Sequence, residues 1–220
     1  MMNSSELKKE IIYTKHKEQQ NTLICHRAEK FFINKGIQKT SFSAIASACG
    51  VTRSTLYKYY KDKDELLWSI YHKKMQILSE GMYQSFSNSR HTTYDRFHAY
   101  FHFLQEKYRT DPDWFKFFSI FYDSWQHETS RRSSEHYQKV FQKGDFGSKD
   151  TVRFLCKNFN DGSVREDLDA ETTAVALTYA GLHIVLGLLR SPQALSIKYG
   201  IHSEEMIDSA FRFILNGLKQ

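Results

Sequence analysis

Apolar side chains recur along this chain at intervals of three and four residues, the spacing of a helix that buries one face. The rhythm is plain at Leu23, Ile24, Ala28, Phe31 and Phe32, inside a stretch without Gly or Pro (residues 4–35) that reads as one long helix. Gly36 stops it, as a glycine in the left-handed region does at a helix C-terminus. Ser41 then stands as the N-cap of a short helix with Phe42, Ile45, Ala46 and Cys49 on its inner face, and Gly50 ends that helix. Thr52 caps a third helix, Arg53–Tyr59, with Val51, Leu56 and Tyr60 as its anchors. Asp62, with Glu65 three residues on, has the form of a capping box. It opens a fourth helix carrying Leu66, Leu67, Ile70, Tyr71, Met75, Leu78 and Met82, unbroken until Gly81.

The helical period continues beyond. Phe97, Tyr100, Phe101, Leu104 and Tyr108 form one stripe. After Asp111-Pro112, where proline suits a first turn, Trp114, Phe117, Phe118, Phe121 and Trp125 form the next. Residues 130–147 are polar and broken by two glycines, and read as weak helix and loop. Thr151–Phe159 is helical, closed by Asn160-Asp161-Gly162. Thr172–Leu189 is uncharged for 18 residues, about the length of a membrane span. Three Thr, two Gly and His183 lower its hydropathy, so a buried or interface helix is expected, and no membrane. Ser191-Pro192 breaks it, and a last helix starts at Ser203 with Ile207, Phe211, Ile214 and Leu218 on one side. No segment alternates as a strand does, so the predicted class is all-α.

Composition sharpens this picture. A 40% apolar share over 220 residues supports a real core, and only two prolines suits long helices. Charge is uneven. Residues 1–74 hold 14 Lys/Arg against 7 Asp/Glu, and the remainder holds 17 against 18. A basic third joined to a neutral remainder points to a polyanion-binding module beside a second, neutral one. Lys8, Lys9, Lys15 and Lys17 make a basic arm that either follows phosphates or is a solvated tail. Three widely spaced cysteines, Cys25, Cys49 and Cys156, fit neither a disulfide framework nor zinc spacing, which suggests the reducing cytoplasm. The first twenty residues contain no apolar run of signal-peptide length.

The candidate chemistry lies in the basic third. Two short helices around Gly50 form a helix-turn-helix, whose second helix enters a DNA major groove with its N-terminal residues nearest the bases. Arg53, Ser54 and Tyr57 are the expected base or near-base contacts, since arginine can donate two bonds to guanine and hydroxyls serve bases or phosphates. Thr40, Ser41, Thr52, Lys58, Tyr59 and Lys63 are the expected phosphate contacts. Catalysis finds little support. Asp111 with Asp113, and Asp167 with Asp169, sit at predicted helix starts, where acids suit the dipole. There is no phosphate loop, nucleophile elbow or His-Glu metal motif. Cys25 and His26 are helix neighbours and point apart. Neither a metal, a cofactor nor an enzyme is expected.

From Ile24 to Leu67 the chain resembles the DNA-binding domain of the TetR family of bacterial transcriptional regulators. Ile24, Ala28, Phe32, Gly36, Thr40 and Ser41 match the family pattern, as do Ile45, Ala46, Gly50, Val51, Thr55, Leu56, Tyr57, Tyr60, Lys63 and Leu66. Arg27 and Cys49 stand where the family has Ala, Ser54 where it often has Gly, and Tyr60 where Phe is commoner. The phrase Gly162–Asp169 is similar to the family's lead-in to its eighth helix. The resemblance implies an Ω-shaped, all-helical homodimer. Residues 1–65 would hold the three-helix DNA-binding domain, and residues 66–220 the dimerisation and ligand-binding domain. It also implies a palindromic duplex operator, a four-helix dimer seam from the last two helices, and a repressor released by a small molecule. The expected pocket residues are Tyr100, Leu104, Phe118, Phe121, Tyr122, Trp125, Tyr179 and His183, although for His183 a hydrogen-bonded core or interface role is favoured over ligand contact. With 17 Phe, 13 Tyr and 3 Trp, the ligand is expected to be apolar and aromatic, or cationic because ring faces attract cations. The rival readings are a ligand-independent activator or architectural DNA binder, and a helical enzyme or membrane-associated module.

Overall fold

The computed structural model describes residues 4–84, 91–127, 147–190 and 192–219, and the side chains of 14–84, 91–124, 151–190 and 192–219. Among the described residues there are helices and no strand. The chain forms two compact units, Met1–Tyr71 and His72–Gln220.

The first unit holds α1 (Ser4–Lys35), α2 (Phe42–Ala48), α3 (Arg53–Tyr59) and the start of α4 (Lys63–Gln84). Helix α1 packs on α2, and α2 on α3. Ile24, Ala28, Phe32, Ile45 and Leu56 reach zero exposure between them, which explains the period seen in the sequence. Burying a leucine such as Leu56 contributes about 1.5–3 kcal/mol. Two turns set the angles. Gly36 has φ +78° and Gly50 φ +66°, a region that L side chains rarely adopt. The Gly36 N–H still reaches the Phe32 carbonyl at 2.9 Å, and the Val51 N–H closes the second turn on the Ala46 carbonyl at 3.0 Å. Asp62 caps α4 by accepting from the Glu65 N–H at 2.8 Å, but the Glu65 carboxylate turns to the Lys61 N–H at 2.7 Å. The predicted box is therefore shifted by one residue on its return arm.

The second unit centres on α5 (Thr93–Thr110), which packs against α6 (Asp113–His127), α7 (Gly147–Cys156), α8 (Ala170–Arg190) and α10 (Ser203–Leu218). Its core is aromatic. Phe97, Phe101, Phe115, Phe117, Phe118 and Phe211 are fully buried, and the Phe101 and Phe211 ring centroids lie 4.7 Å apart. A Cβ on Gly181 would meet the Phe101 ring at 2.9 Å, so α8 can approach α5 this closely only where it lacks a side chain. Asp161 clamps the start of α5, accepting from the Thr93 N–H at 2.6 Å and from the Ser163 hydroxyl at 2.6 Å.

Three features differ from the pattern reading. A six-residue helix, α9 (Ala194–Tyr199), lies between Pro192 and Ser203. It buries no residue, so it has no apolar stripe to announce it. Helix α7 ends at Cys156, short of Phe159, and Asn158 follows with φ +50°. Helix α4 continues through Gly81 to Gln84. Of the expected loop at 130–147, all but the final residue lies outside the described residues. Helix α8 is the one described helix long and apolar enough to cross a membrane. It buries Ala174, Gly181, Leu182, Val185 and Leu186 against its neighbours and leaves Val175 and Tyr179 exposed.

Candidate functional site

In the first unit α3 is only seven residues long, too short to hold itself in water. Tertiary contacts and one cap fix it. Leu56 is wholly buried beneath it. At its start the Thr52 Oγ1 accepts from the Thr55 N–H at 3.1 Å and lies 2.9 Å from the Ser54 hydroxyl. Thr52, Arg53, Ser54, Tyr57 and Lys58 are exposed, and Tyr59 is half-buried. The helix holds Arg53 and Lys58 and no acid, so its outer face is cationic.

Arg53 is not loose. Its Nη2 donates to the Tyr57 hydroxyl at 3.1 Å, and its guanidinium lies 5.4 Å from the Tyr57 ring centroid. The Tyr57 ring in turn leans on Phe42 of α2, centroids 5.1 Å apart. The pair is thus a preformed donor and hydroxyl anchored to the neighbouring helix. Ser41 is exposed at the start of α2, its Oγ accepting from the Ala44 N–H at 3.2 Å.

Two residues expected on phosphates are placed otherwise. Thr40 is 2% exposed, and its hydroxyl donates inward to the Gly36 carbonyl at 2.8 Å. It serves a carbonyl at the end of α1, which helix geometry leaves without a partner. The Lys63 ammonium donates to the carbonyls of Ile37 (3.1 Å) and Gln38 (3.4 Å), tying α4 to the same turn. It is half-buried and keeps one N–H for another partner.

Below α3 lies a buried polar cluster that the pattern of apolar residues did not signal. The Tyr60 hydroxyl donates to Asn21 Oδ1 and lies 3.1 Å from the Cys25 sulfur and 3.2 Å from the Ser69 hydroxyl. Burial pushes the Tyr60 hydroxyl pKa up, with Cys25 adding to it, so the proton stays on oxygen. The departure of Tyr60 from phenylalanine therefore ties α1, the end of α3 and α4 through one hydroxyl. Among Lys8, Lys9, Lys15 and Lys17, the last two are exposed on α1, and the first two side chains lie outside the described residues.

In the second unit the expected pocket residues fall into two groups. Tyr100, Leu104, Phe118 and Phe121 are core residues, and the Tyr100 hydroxyl donates to the Thr178 carbonyl at 2.6 Å. Burial raises the Tyr100 hydroxyl pKa far above its ordinary value. Tyr122, His183 and Tyr179 come together nearer the surface. The His183 ring stacks on Tyr179 at 3.8 Å and lies 5.5 Å from Tyr122. His183 Nδ1 is 2.9 Å from the Tyr179 carbonyl, which can only accept, so Nδ1 carries a proton. The Trp125 side chain lies outside the described residues.

The suspect carboxylates are occupied. Asp111 pairs with Lys107 at 3.0 Å, Asp113 with Lys116 at 2.6 Å, and Asp167 with Arg165 at 2.5 Å, while Asp169 accepts from the Thr172 N–H at 2.9 Å. Among the described residues no group of three or more His, Cys, Asp or Glu could hold a metal ion. The exposed apolar side chains of this unit include Ile77 and Tyr83 on α4, Val175 and Tyr179 on α8, Ile197 and Tyr199 on α9, Ile201 after it, and Phe213, 72% exposed, on α10.

Residues 24–70 match the family model of the bacterial regulatory proteins of the TetR family. Over nearly the whole chain the fold is similar to solved regulators. The crystal structure of NalD, the secondary repressor of the MexAB-OprM multidrug efflux pump in Pseudomonas aeruginosa, superposes with a TM-score of 0.63 at 18% identity, covering 93% of this chain and 98% of that one. The fatty acid degradation regulator FadR from Bacillus halodurans gives 0.66 at 17% identity, covering 90% and 96%. A TetR family transcription regulator from Marinobacter aquaeolei gives 0.62 at 16% identity, covering 94% and 99%.

Proposed function

We propose that this chain, which carries the TetR-family DNA-binding domain in residues 24–70, is a homodimeric transcriptional repressor released from its operator by an apolar small molecule. The observation that carries this reading is the exposed, acid-free face of α3, held rigid by Leu56 below and the Thr52 cap at its start. Arg53, Ser54 and Tyr57 read base edges; Ser41, Thr52, Lys58, Tyr59 and the remaining N–H of Lys63 hold phosphates. Thr40 acts from within, keeping the turn before α2 in shape.

One such helix makes few contacts. Two copies reach successive half-sites about 34–36 Å apart, or a multiple of that, on a palindromic operator. The apolar faces of α8 and α10 supply the pairing surface, which explains Val175, Tyr179 and Phe213 in water on a single chain. Helix α4 is continuous from Lys63 to Gln84, so it runs from the DNA-binding unit into the second one. A ligand that binds one arrangement of α4 better than another shifts operator affinity by that difference and no more. Such a regulator works in the cytoplasm, where the DNA is.

The test is a gel-shift titration of the full chain on duplex fragments selected from a random pool, repeated with a panel of apolar small molecules. Release by one of them supports the reading. Tight binding that no molecule alters supports a ligand-independent regulator in its place.

A further inference from the structure

We infer that Arg53 and Tyr57 read the operator as one unit, Arg53 taking a guanine and Tyr57 a thymine stacked next to it on the same strand. This rests on the DNA-binding reading above and names the base step that α3 selects.

The pair is assembled by contacts within the first unit. Arg53 Nη2 donates to the Tyr57 hydroxyl at 3.1 Å, and the guanidinium lies 5.4 Å from the Tyr57 ring centroid. Four residues apart on a helix, the two side chains share a face. Phe42, itself 7% exposed, holds the ring from α2 with centroids 5.1 Å apart. Side chains ordered in advance lose less freedom on binding, so the geometry of the pair carries over to the groove.

That geometry fits two neighbouring bases. The guanidinium nitrogen and the hydroxyl oxygen are 3.1 Å apart, close to the spacing of about 3.4 Å between successive nucleotides on one strand. One of the five guanidinium N–H groups goes to Tyr57, and enough remain for a two-bond contact with guanine O6 and N7. The Tyr57 oxygen accepts from Arg53, and among the described residues its hydroxyl has no other partner. Its own hydrogen is therefore left for an acceptor on the next base edge.

The major-groove code then separates the candidates for that edge. Cytosine presents only the N4 amino donor. Adenine sets a donor beside its acceptor. Guanine has acceptors and no methyl group. Thymine has the O4 acceptor for the hydroxyl and a C5-methyl for the ring, and Tyr57 is still 45% exposed between its contacts. Tyrosine brings both halves of this match, the donor and the apolar body, on one rigid side chain.

The test uses the full chain and the duplexes it selects from a random pool. The expected selection holds guanine next to thymine in each half-site. Fluorescence anisotropy titrations then compare duplexes with thymine, uracil or cytosine at the second position of one half-site, each with its complementary base. Thymine and uracil differ only by the methyl group, and thymine should bind about fourfold tighter. Uracil and cytosine both lack it and differ at position 4, and uracil should bind at least about fivefold tighter. Tyr57→Phe keeps the ring and removes the hydroxyl. It should bring uracil and cytosine to within about twofold of each other, while thymine keeps its lead over uracil and guanine stays preferred. The ratios on the wild-type protein test the inference even if the variant does not fold. Cytosine or a purine selected beside the guanine, equal binding of uracil and cytosine by the wild type, or a Tyr57→Phe chain that weakens on every duplex alike overturns the inference, the last placing the hydroxyl on a phosphate. An enriched inverted repeat without this base step removes the inference and leaves the regulator standing. If no sequence is enriched, the proposed function itself falls.

Discussion

Replacing Thr40 by valine separates an inward structural role from an outward DNA contact. The substitution keeps the branched shape and removes only the hydroxyl. That hydroxyl donates to the Gly36 carbonyl at 2.8 Å, with the Phe31 carbonyl a longer second acceptor at 3.3 Å. At 2% exposure, little water replaces it. Losing one such bond and stranding a carbonyl costs about 1–3 kcal/mol. A middle value near 2 kcal/mol lowers the melting temperature of a chain this size by roughly 4–8 °C. Circular dichroism melting reads the first quantity, and gel-shift affinity well below the melting point reads the second. The expected result is a lower melting temperature with operator affinity of the folded protein within about twofold of wild type. An unchanged melting temperature with about tenfold weaker operator binding would refute the reasoning and return Thr40 to the phosphate backbone.

Other substitutions probe the remaining assignments. Arg53→Ala should relax preference at one base pair, costing about 1–3 kcal/mol there, while Lys58→Ala should weaken all sequences alike and reduce the salt slope by about one; identical effects from both would erase the division between base and phosphate contacts. Phe213→Glu, at a side chain 72% exposed on α10, should leave melting of the separated chain unchanged yet halve the mass seen by sedimentation equilibrium; an undiminished mass would move the seam elsewhere. Acid should destabilise the second unit through Asp161 and Asp95. Burial opposes the shift at Asp161, but hydrogen bonds from Ser163 and Thr93 outweigh it, and hydrogen bonds from Thr92 hold Asp95 down. Their pKa values are depressed on folding, so their contribution is fully present above the unfolded value, about 3.9. It is lost as pH falls further through the folded values. Urea unfolding between about pH 5 and pH 2 should therefore show a shallower loss for Asp161→Asn than for wild type; parallel curves would contradict this.

Much of the fold was legible because burial here follows the helix period. Ile24, Ala28, Phe32, Ile45 and Leu56 announced three helices and then formed their core. Gly36 and Gly50 marked turns that do adopt positive φ. Helix α9 was hidden because it buries nothing, and pattern reading detects only burial. The DNA-facing residues were half legible. Arg53, Ser54, Tyr57 and Lys58 project outward as their register on α3 required, but a threonine before an N-cap looks the same in sequence whether its hydroxyl faces water or a carbonyl. The inward turn of Thr40 depends on where the end of α1 lies, a tertiary fact. The same holds for Lys74. One lysine in a helix reads as a solvated charge, and only the packing of α6 over it places its ammonium among rings.

The central claim is that α3 reads DNA twice, from paired chains. Repeated selection of bound duplexes from a random pool by the wild-type chain, followed by sequencing, addresses it most directly. The account predicts an inverted repeat of fixed spacing, recovered by the wild type and altered at one position in each half by Arg53→Ala. A single unpaired site, or a pool with no enriched sequence, would contradict it.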